Sequence, residues 1–253
     1  MWQPNKLEQE RLDKAERLRE RGVALYPRRV QRSHTLGDAI QAAEAATDGL
    51  DDEAAEAALA AISVTVTGRI RRLNVKGGVS FMHIEDESGR LQLFLRRNDM
   101  PAEQYAIVKE KLVEVDDFVQ ASGHMMRTRA GELSVKVSEF LLLAKAVSPL
   151  PVIKQQVNED GSVVEFGEFT DVETRYRQRY ADLAVNRTVR DVFRKRSLTL
   201  RAMREFMDNE GFLEVETPCL HGVAGGAAAR PFRTHFNALD CDFNLRIALE
   251  LHL

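Results

Sequence analysis

Apolar positions change their period at Ile62, and that change divides the chain. Before it the spacing is helical. Leu7, Leu12, Ala15 and Leu18 recur among Glu, Arg and Lys through residues 5–22, with Gly22 as a stop. So narrow a stripe predicts a helix lying on another surface and not in a core. Residues 37–61 are rich in alanine and acid, and Asp48-Gly49 reads as a turn between two short helices. From Ile62 the period falls to two: Val64, Val66, Gly68 and Ile70 alternate with polar residues as in a strand. Further strands are predicted at 79–86 and 90–96, joined by the turn Asp86-Glu87-Ser88-Gly89. Asp99-Met100-Pro101 opens a helix with Asp99 as cap and Tyr105, Val108 and Leu112 on one side. Strands at 117–126 and 132–143 follow, about the turn Arg129-Ala130-Gly131. Three strands, a helix and two strands is the order of an OB-fold barrel.

Beyond the stiff boundary Ser148-Pro149-Leu150-Pro151 the pattern changes again. Residues 154–170 read as a polar insert, and the basic, aromatic run Arg175-Tyr176-Arg177-Gln178-Arg179-Tyr180 follows. A long helix is predicted over 188–210, with Val189, Phe193, Leu200, Met203 and Met207 on one stripe and Arg190, Arg194, Lys195, Arg201 and Arg204 opposite. It ends at Gly211. Alternation then predicts a strand closing at Pro218, and a small-residue loop runs from Gly225 to Arg230-Pro231-Phe232. The expected organisation is an appendage of helices over 1–61, a barrel over 62–147, a linker and insert over 148–180, and the start of a further domain over 181–253. The fold class is α+β.

Composition narrows the function. A chain of 253 residues suits two or three units, and 44% hydrophobic with 30% charged residues is ordinary for a protein with a packed core. The net charge of −3 gives no global pull toward nucleic acid, so local basic stretches matter more. Cys219 and Cys241 are too few for a disulfide framework, and with six scattered histidines they predict no metal site. The first residues do not resemble a signal peptide, and no apolar run nears the ~20 residues of a membrane span. A cytoplasmic protein without a membrane partner is expected.

Strand alternation makes a sharper statement about the barrel. If Leu91, Leu93 and Leu95 point inward, Gln92 and Phe94 point outward; Met82 and Ile84 inward likewise put Phe81 and His83 outward. An aromatic ring, an imidazole and an amide then share one face, near Arg69, Arg71, Arg72 and Lys76. Such a face binds single-stranded nucleic acid by stacking bases and reading their edges. The competing reading is a ring covering the barrel end among solvated arginines.

Three segments in order carry a resemblance: Arg175-Tyr176-Arg177-Gln178-Arg179-Tyr180, Glu214-Val215-Glu216-Thr217-Pro218 and Gly225-Gly226-Ala227-Ala228-Ala229-Arg230-Pro231-Phe232. The chain resembles the N-terminal half of a class II lysyl-tRNA synthetase. The resemblance implies that 62–147 is an anticodon-binding barrel, with Phe81 stacking, Gln92 contacting a base and Glu132 beside the last hairpin. A basic residue the family often places before the stacking aromatic aligns with Asn74, and Arg71 or Arg72 could replace it. It implies that 181–253 begins a class II antiparallel-sheet catalytic domain, and that helix and strand 188–218, ending at Pro218, form a homodimer interface. Gly226 and Glu250 map onto the lysine pocket, with Arg230 as a further loop contact. The implied reaction is attack of the lysine carboxylate on the α-phosphate of ATP, with Mg²⁺, then transfer of lysine to the lysine-specific tRNA.

Two departures bear on that implication. The family's later motifs, which hold ATP and metal, are absent from these residues, so an incomplete catalytic domain, inactive alone, is expected. In Ala248-Leu249-Glu250-Leu251-His252-Leu253, Leu249 and His252 stand where the family typically has proline and tyrosine, which frees the backbone meant to aim Glu250. Three other readings stay open: a barrel that holds RNA without catalysis, the related aspartyl or asparaginyl ligase, and a fragment whose dimerisation helix captures a full-length subunit.

Overall fold

Side chains that satisfy free backbone N–H groups start the first three helices. Asn5 and Glu8 form a reciprocal capping box at α1 (Lys6–Glu20), Thr35 and Asp38 do the same at α2 (Leu36–Thr47), and Asp51 caps α3 (Asp52–Ala61). The computed structural model describes residues 2–151, 154–157, 163–166 and 171–253. It forms two compact units, Met1–Arg175 and Tyr176–Leu253.

In the first unit, β1 (Ser63–Lys76), β2 (Val79–Glu85), β3 (Arg90–Arg96), β4 (Phe118–Arg127) and β5 (Leu133–Ala144) close a barrel in the order β1-β2-β3-β5-β4. Only the β3–β5 pairing is parallel. Helix α4 (Ala102–Lys109) connects β3 to β4, giving the OB-fold order expected from the sequence. The inward residues are those alternation predicts: Met82, Ile84, Leu91, Leu93 and Leu95 are buried together with Tyr105, Val108 and Leu112. Asp99 does not cap α4. It lies in a 3-10 turn and accepts from Arg96 at 2.6 Å, while Pro101 occupies the cap position without a side-chain bond. The neighbouring guanidinium is a stronger donor than the backbone amides Asp99 was expected to serve, and it holds the carboxyl below its ordinary range.

Helix α1 does lie on another surface, but it also enters the core: Ala15 and Leu18 are buried in the cluster that fills the barrel. Polar contacts fix it there. Arg11 donates to the carbonyls of Val115 and Ala146, Lys14 pairs with Glu114 at 2.6 Å, and Ser148 donates to Glu8 at 2.6 Å. The insert read at 154–170 falls largely outside the described residues, apart from the paired strands β6 (Lys154–Val157) and β7 (Val163–Phe166).

Helices α5 (Val172–Arg177) and α6 (Arg179–Val185) precede α7 (Arg187–Asn209). Gly211 ends α7 with φ +84°, where the amide of Phe212 reaches back to the carbonyl of Met207. The strand expected over 212–218 is not formed. A strand exists only where a neighbour takes its backbone groups, and the sheet of this unit is β8 (Leu220–His221), β10 (Cys241–Leu245) and β9 (Arg233–Phe236), in that order. The alternating side chains stand in solvent instead, with Leu213 at 86% and Val215 at 50% exposure. In the stripe of α7, Phe193, Leu200, Met203 and Met207 are exposed and Val189 is half-buried. Among the described residues no helix is long and apolar enough to cross a membrane.

Candidate functional site

A cleft of about 670 Å³ opens on the outer face of the barrel. Its wall comes from three adjacent strands in register, Asn74 beside Phe81 beside Phe94, and Arg72 beside His83 beside Gln92. Pairing of this kind puts one side chain from each strand at the same height on the same face. Phe81 and Phe94 meet edge to face at 5.5 Å, which leaves the face of a ring available to a flat ligand. Glu132 and Arg129 reach in from the turn between β4 and β5.

One carboxylate organises the polar side of the cleft. Glu132 Oε1 lies 2.8 Å from His83 Nε2, and Glu132 Oε2 accepts from the Gln92 amide. Gln92 is only 5% exposed. It points out of the barrel as alternation predicts, but Glu132 covers it, so the face is less open than the sequence suggested. Gln92 Oε1 and His83 Nδ1 are both buried and have no hydrogen-bond partner.

The arginines divide. Arg72 lines the cleft with Asn74, whereas Arg69 stacks on Phe118 and Arg71 faces Glu85 and Asp116. A bulge between Ile70 and Arg72 makes this split: past it, the outward set shifts from Arg69 and Arg71 to Arg72, Asn74 and Lys76. Of the two arginines suggested in place of the missing basic residue, Arg72 is the one in position. The sequence placed His83 on this face but gave it no contact; Arg96 and Arg129 were not expected there.

The second unit brings the expected amino-acid pocket residues together. Gly226 has φ +89°, and a β-carbon there would stand 2.9 Å from Ala248 Cβ and 3.1 Å from Glu250 Oε2. The loop therefore passes against Glu250 only because position 226 has no side chain. Leu249 adopts φ −100°, outside the range proline permits, and the turn Glu250–His252 is closed by the His252 amide on the carbonyl of Leu249. The His252 ring packs edge to face on His221 at 4.7 Å. Arg230 stands exposed at the end of the loop, and the carbonyl of Pro218 accepts from His221 Nε2 at 2.9 Å. Arg246 donates to the carbonyl of Thr217 at 2.9 Å. Among the described residues no group of three or more His, Cys, Asp or Glu is placed to hold a metal ion.

Two family models match these two halves. Residues 64–143 match an OB-fold nucleic acid binding domain, and residues 171–253 match the class II tRNA synthetases of the D, K and N group. The chain thus joins an OB-fold of the nucleic-acid-binding kind to class II synthetase sequence. It is 46% identical over 252 residues to a lysine–tRNA ligase of Roseiflexus castenholzii, covering 98% of this chain and 46% of that protein. A lysine–tRNA ligase of Magnetococcus marinus is 47% identical over 95% of the chain, and one of Listeria monocytogenes 44% over 96%. The chain belongs to the lysine–tRNA ligase family. It spans about half the length of the curated relatives it matches.

Proposed function

We propose that the chain serves ATP-dependent ligation of lysine to its tRNA in the cytoplasm, reading the anticodon on the barrel and holding lysine between Gly226 and Glu250. The observation that carries this is the convergence of Phe81, Gln92 and Glu132 on one cleft, with Arg72 and Arg129 beside them for phosphate. Stacking on Phe81 supplies affinity that any base can use, while the amide and carboxylate address a base edge. Glu250 would meet the lysine ammonium in a charge-assisted hydrogen bond, and the side-chain-free loop at Gly226 leaves room for it. ATP and Mg²⁺ belong to the reaction the family resemblance implies. The 253 residues alone are proposed to bind without activating the amino acid.

Titration of the chain with lysine-specific tRNA tests this reading. Phe81→Ala is expected to weaken binding by about 5- to 150-fold, the equivalent of ~1–3 kcal/mol for one stacked base. Calorimetry should detect lysine and not aspartate. Unchanged tRNA affinity, aspartate binding, or lysine-dependent pyrophosphate exchange by these residues would each contradict the corresponding part.

The open stripe of α7 and the segment to Pro218 favour a homodimer as the working species, because so much contiguous apolar surface is unusual on a monomer. Sedimentation at micromolar concentration is expected to give twice the chain mass, and a monomer would remove this part of the proposal.

A further inference from the structure

We propose that His83 is a positioning residue for base recognition: its ring holds Glu132, and through Glu132 the Gln92 amide, so that the cleft floor presents acceptors to an incoming base. This rests on the anticodon-reading role proposed for that face.

The protonation pattern follows from the contacts. An ionised carboxylate only accepts, so at His83 the nitrogen 2.8 Å from Glu132 Oε1, Nε2, carries the hydrogen. In the neutral ring Nδ1 is then a bare acceptor. The Gln92 amide donates to Glu132 Oε2, so its Oε1 is turned away from the carboxylate. Both remaining atoms, His83 Nδ1 and Gln92 Oε1, are buried without a partner. Leaving two buried acceptors empty is costly, and a ligand that donates to them recovers that cost. What fits is a base edge carrying N–H donors, stacked on the neighbouring aromatic ring.

The charged groups that face His83 across the cleft are Arg72 on β1, Arg96 on β3, and Arg129 and Glu132 from the turn before β5. Arg96 is already engaged by Asp99, which leaves Glu132 as the carboxylate within reach of the ring.

The readout is the ratio of affinities for lysine-specific tRNA over the same tRNA with a scrambled anticodon, measured with the full chain. His83→Ala should lower the ratio roughly tenfold, the equivalent of one buried hydrogen bond misdirected, with little change in affinity for the scrambled tRNA. His83→Gln keeps a donor toward Glu132, so it should retain part of the ratio. A parental ratio in His83→Ala, or a ratio in His83→Gln no better than in His83→Ala, overturns the proposal. If Phe81→Ala weakens binding while the His83 variants behave as the parent, only the role of His83 fails. If the chain binds neither tRNA, the reading of the whole face fails with it.

Discussion

Gly123→Ala is expected to open the barrel at temperatures where the parent chain keeps it closed. A β-carbon at position 123 would stand 2.0 Å from the carbonyl oxygen of Lys136 and 2.8 Å from its carbonyl carbon. Both are backbone atoms of β5 and cannot turn aside as a side-chain tip would. The approach is built into the ladder: register shifts between Ser122 and Gly123, where β5 passes from Glu139 to Val137 and leaves Ser138 unpaired, its hydroxyl donating to the carbonyl of Ser122 at 3.2 Å. The pairing of β4 with β5 is also what lets β5 reach β3 and close the sheet. Overpacking in a dense interior commonly costs 1–3 kcal/mol, and a clash with fixed backbone should lie at or above about 3 kcal/mol. For a unit of this size that is a loss of roughly 6–12 °C in melting temperature. Amide exchange in β4 and β5 would localise the effect. Gly78→Ala is the control, since a β-carbon there meets nothing within 4 Å, and it should change stability by less than about 0.5 kcal/mol. Parental exchange rates in Gly123→Ala would show that the two strands can separate without losing the barrel.

The same bulges explain where the sequence stops being legible. Alternation assigns Met82 and Ile84, and Leu91, Leu93 and Leu95, to the core correctly, because a pleated strand alternates sides wherever its register is unbroken. It would mislead from Arg72 on. An extra residue in β1 reverses the facing of everything after it, and nothing local in the run Arg69-Ile70-Arg71-Arg72 announces the bulge. Asp99 failed as a cap for a different reason: two competing local partners were both plausible, and the guanidinium of Arg96 won. The segment 212–218 has a strand's pattern, but pattern records only a capacity to pair, and among the described residues it joins no sheet. At the candidate sites, Gly226 and Glu250 could be named from family resemblance and do lie together. The Glu132 bridge between His83 and Gln92 could not be foreseen, because it joins a turn to two strands separated by about 40 residues or more along the chain.

Lys145→Met should destabilise the first unit by about 3–5 kcal/mol at pH 7, the usual penalty for stranding one partner of a buried ion pair. The Lys145 ammonium is fully buried, 2.9 Å from Asp117 Oδ2 and 3.1 Å from Glu114 Oε2, and the Asp117 carboxylate is buried with it. Asp117 also accepts from the amides of Ala146 and Glu114, which places the chain leaving β5 against the chain entering β4. Methionine fills the volume without supplying charge, so the carboxylate is left in a site that water does not reach. The pH dependence identifies this cause. Burial already pushes the Asp117 carboxyl above its ordinary value of 3.8, and Lys145 and the two amides only partly oppose it. Removing Lys145 must push it higher. A carboxyl raised in the folded state binds more protons folded than unfolded, so its presence costs stability as pH rises through the raised value and costs least in acid. Glu114 acts in the parent with the opposite sign: burial works against its ionised form, but Lys14 and Lys145 outweigh it and lower its value, so the parent loses that stabilisation as pH falls. Both effects narrow the gap between variant and parent on acidification from pH 7 toward pH 4. Adding Asp117→Asn to Lys145→Met removes the stranded charge and should recover most of the loss. A gap that stays constant with pH, or a double variant no more stable than the single one, would mean that Lys145 acts by packing its stem and not by neutralising Asp117.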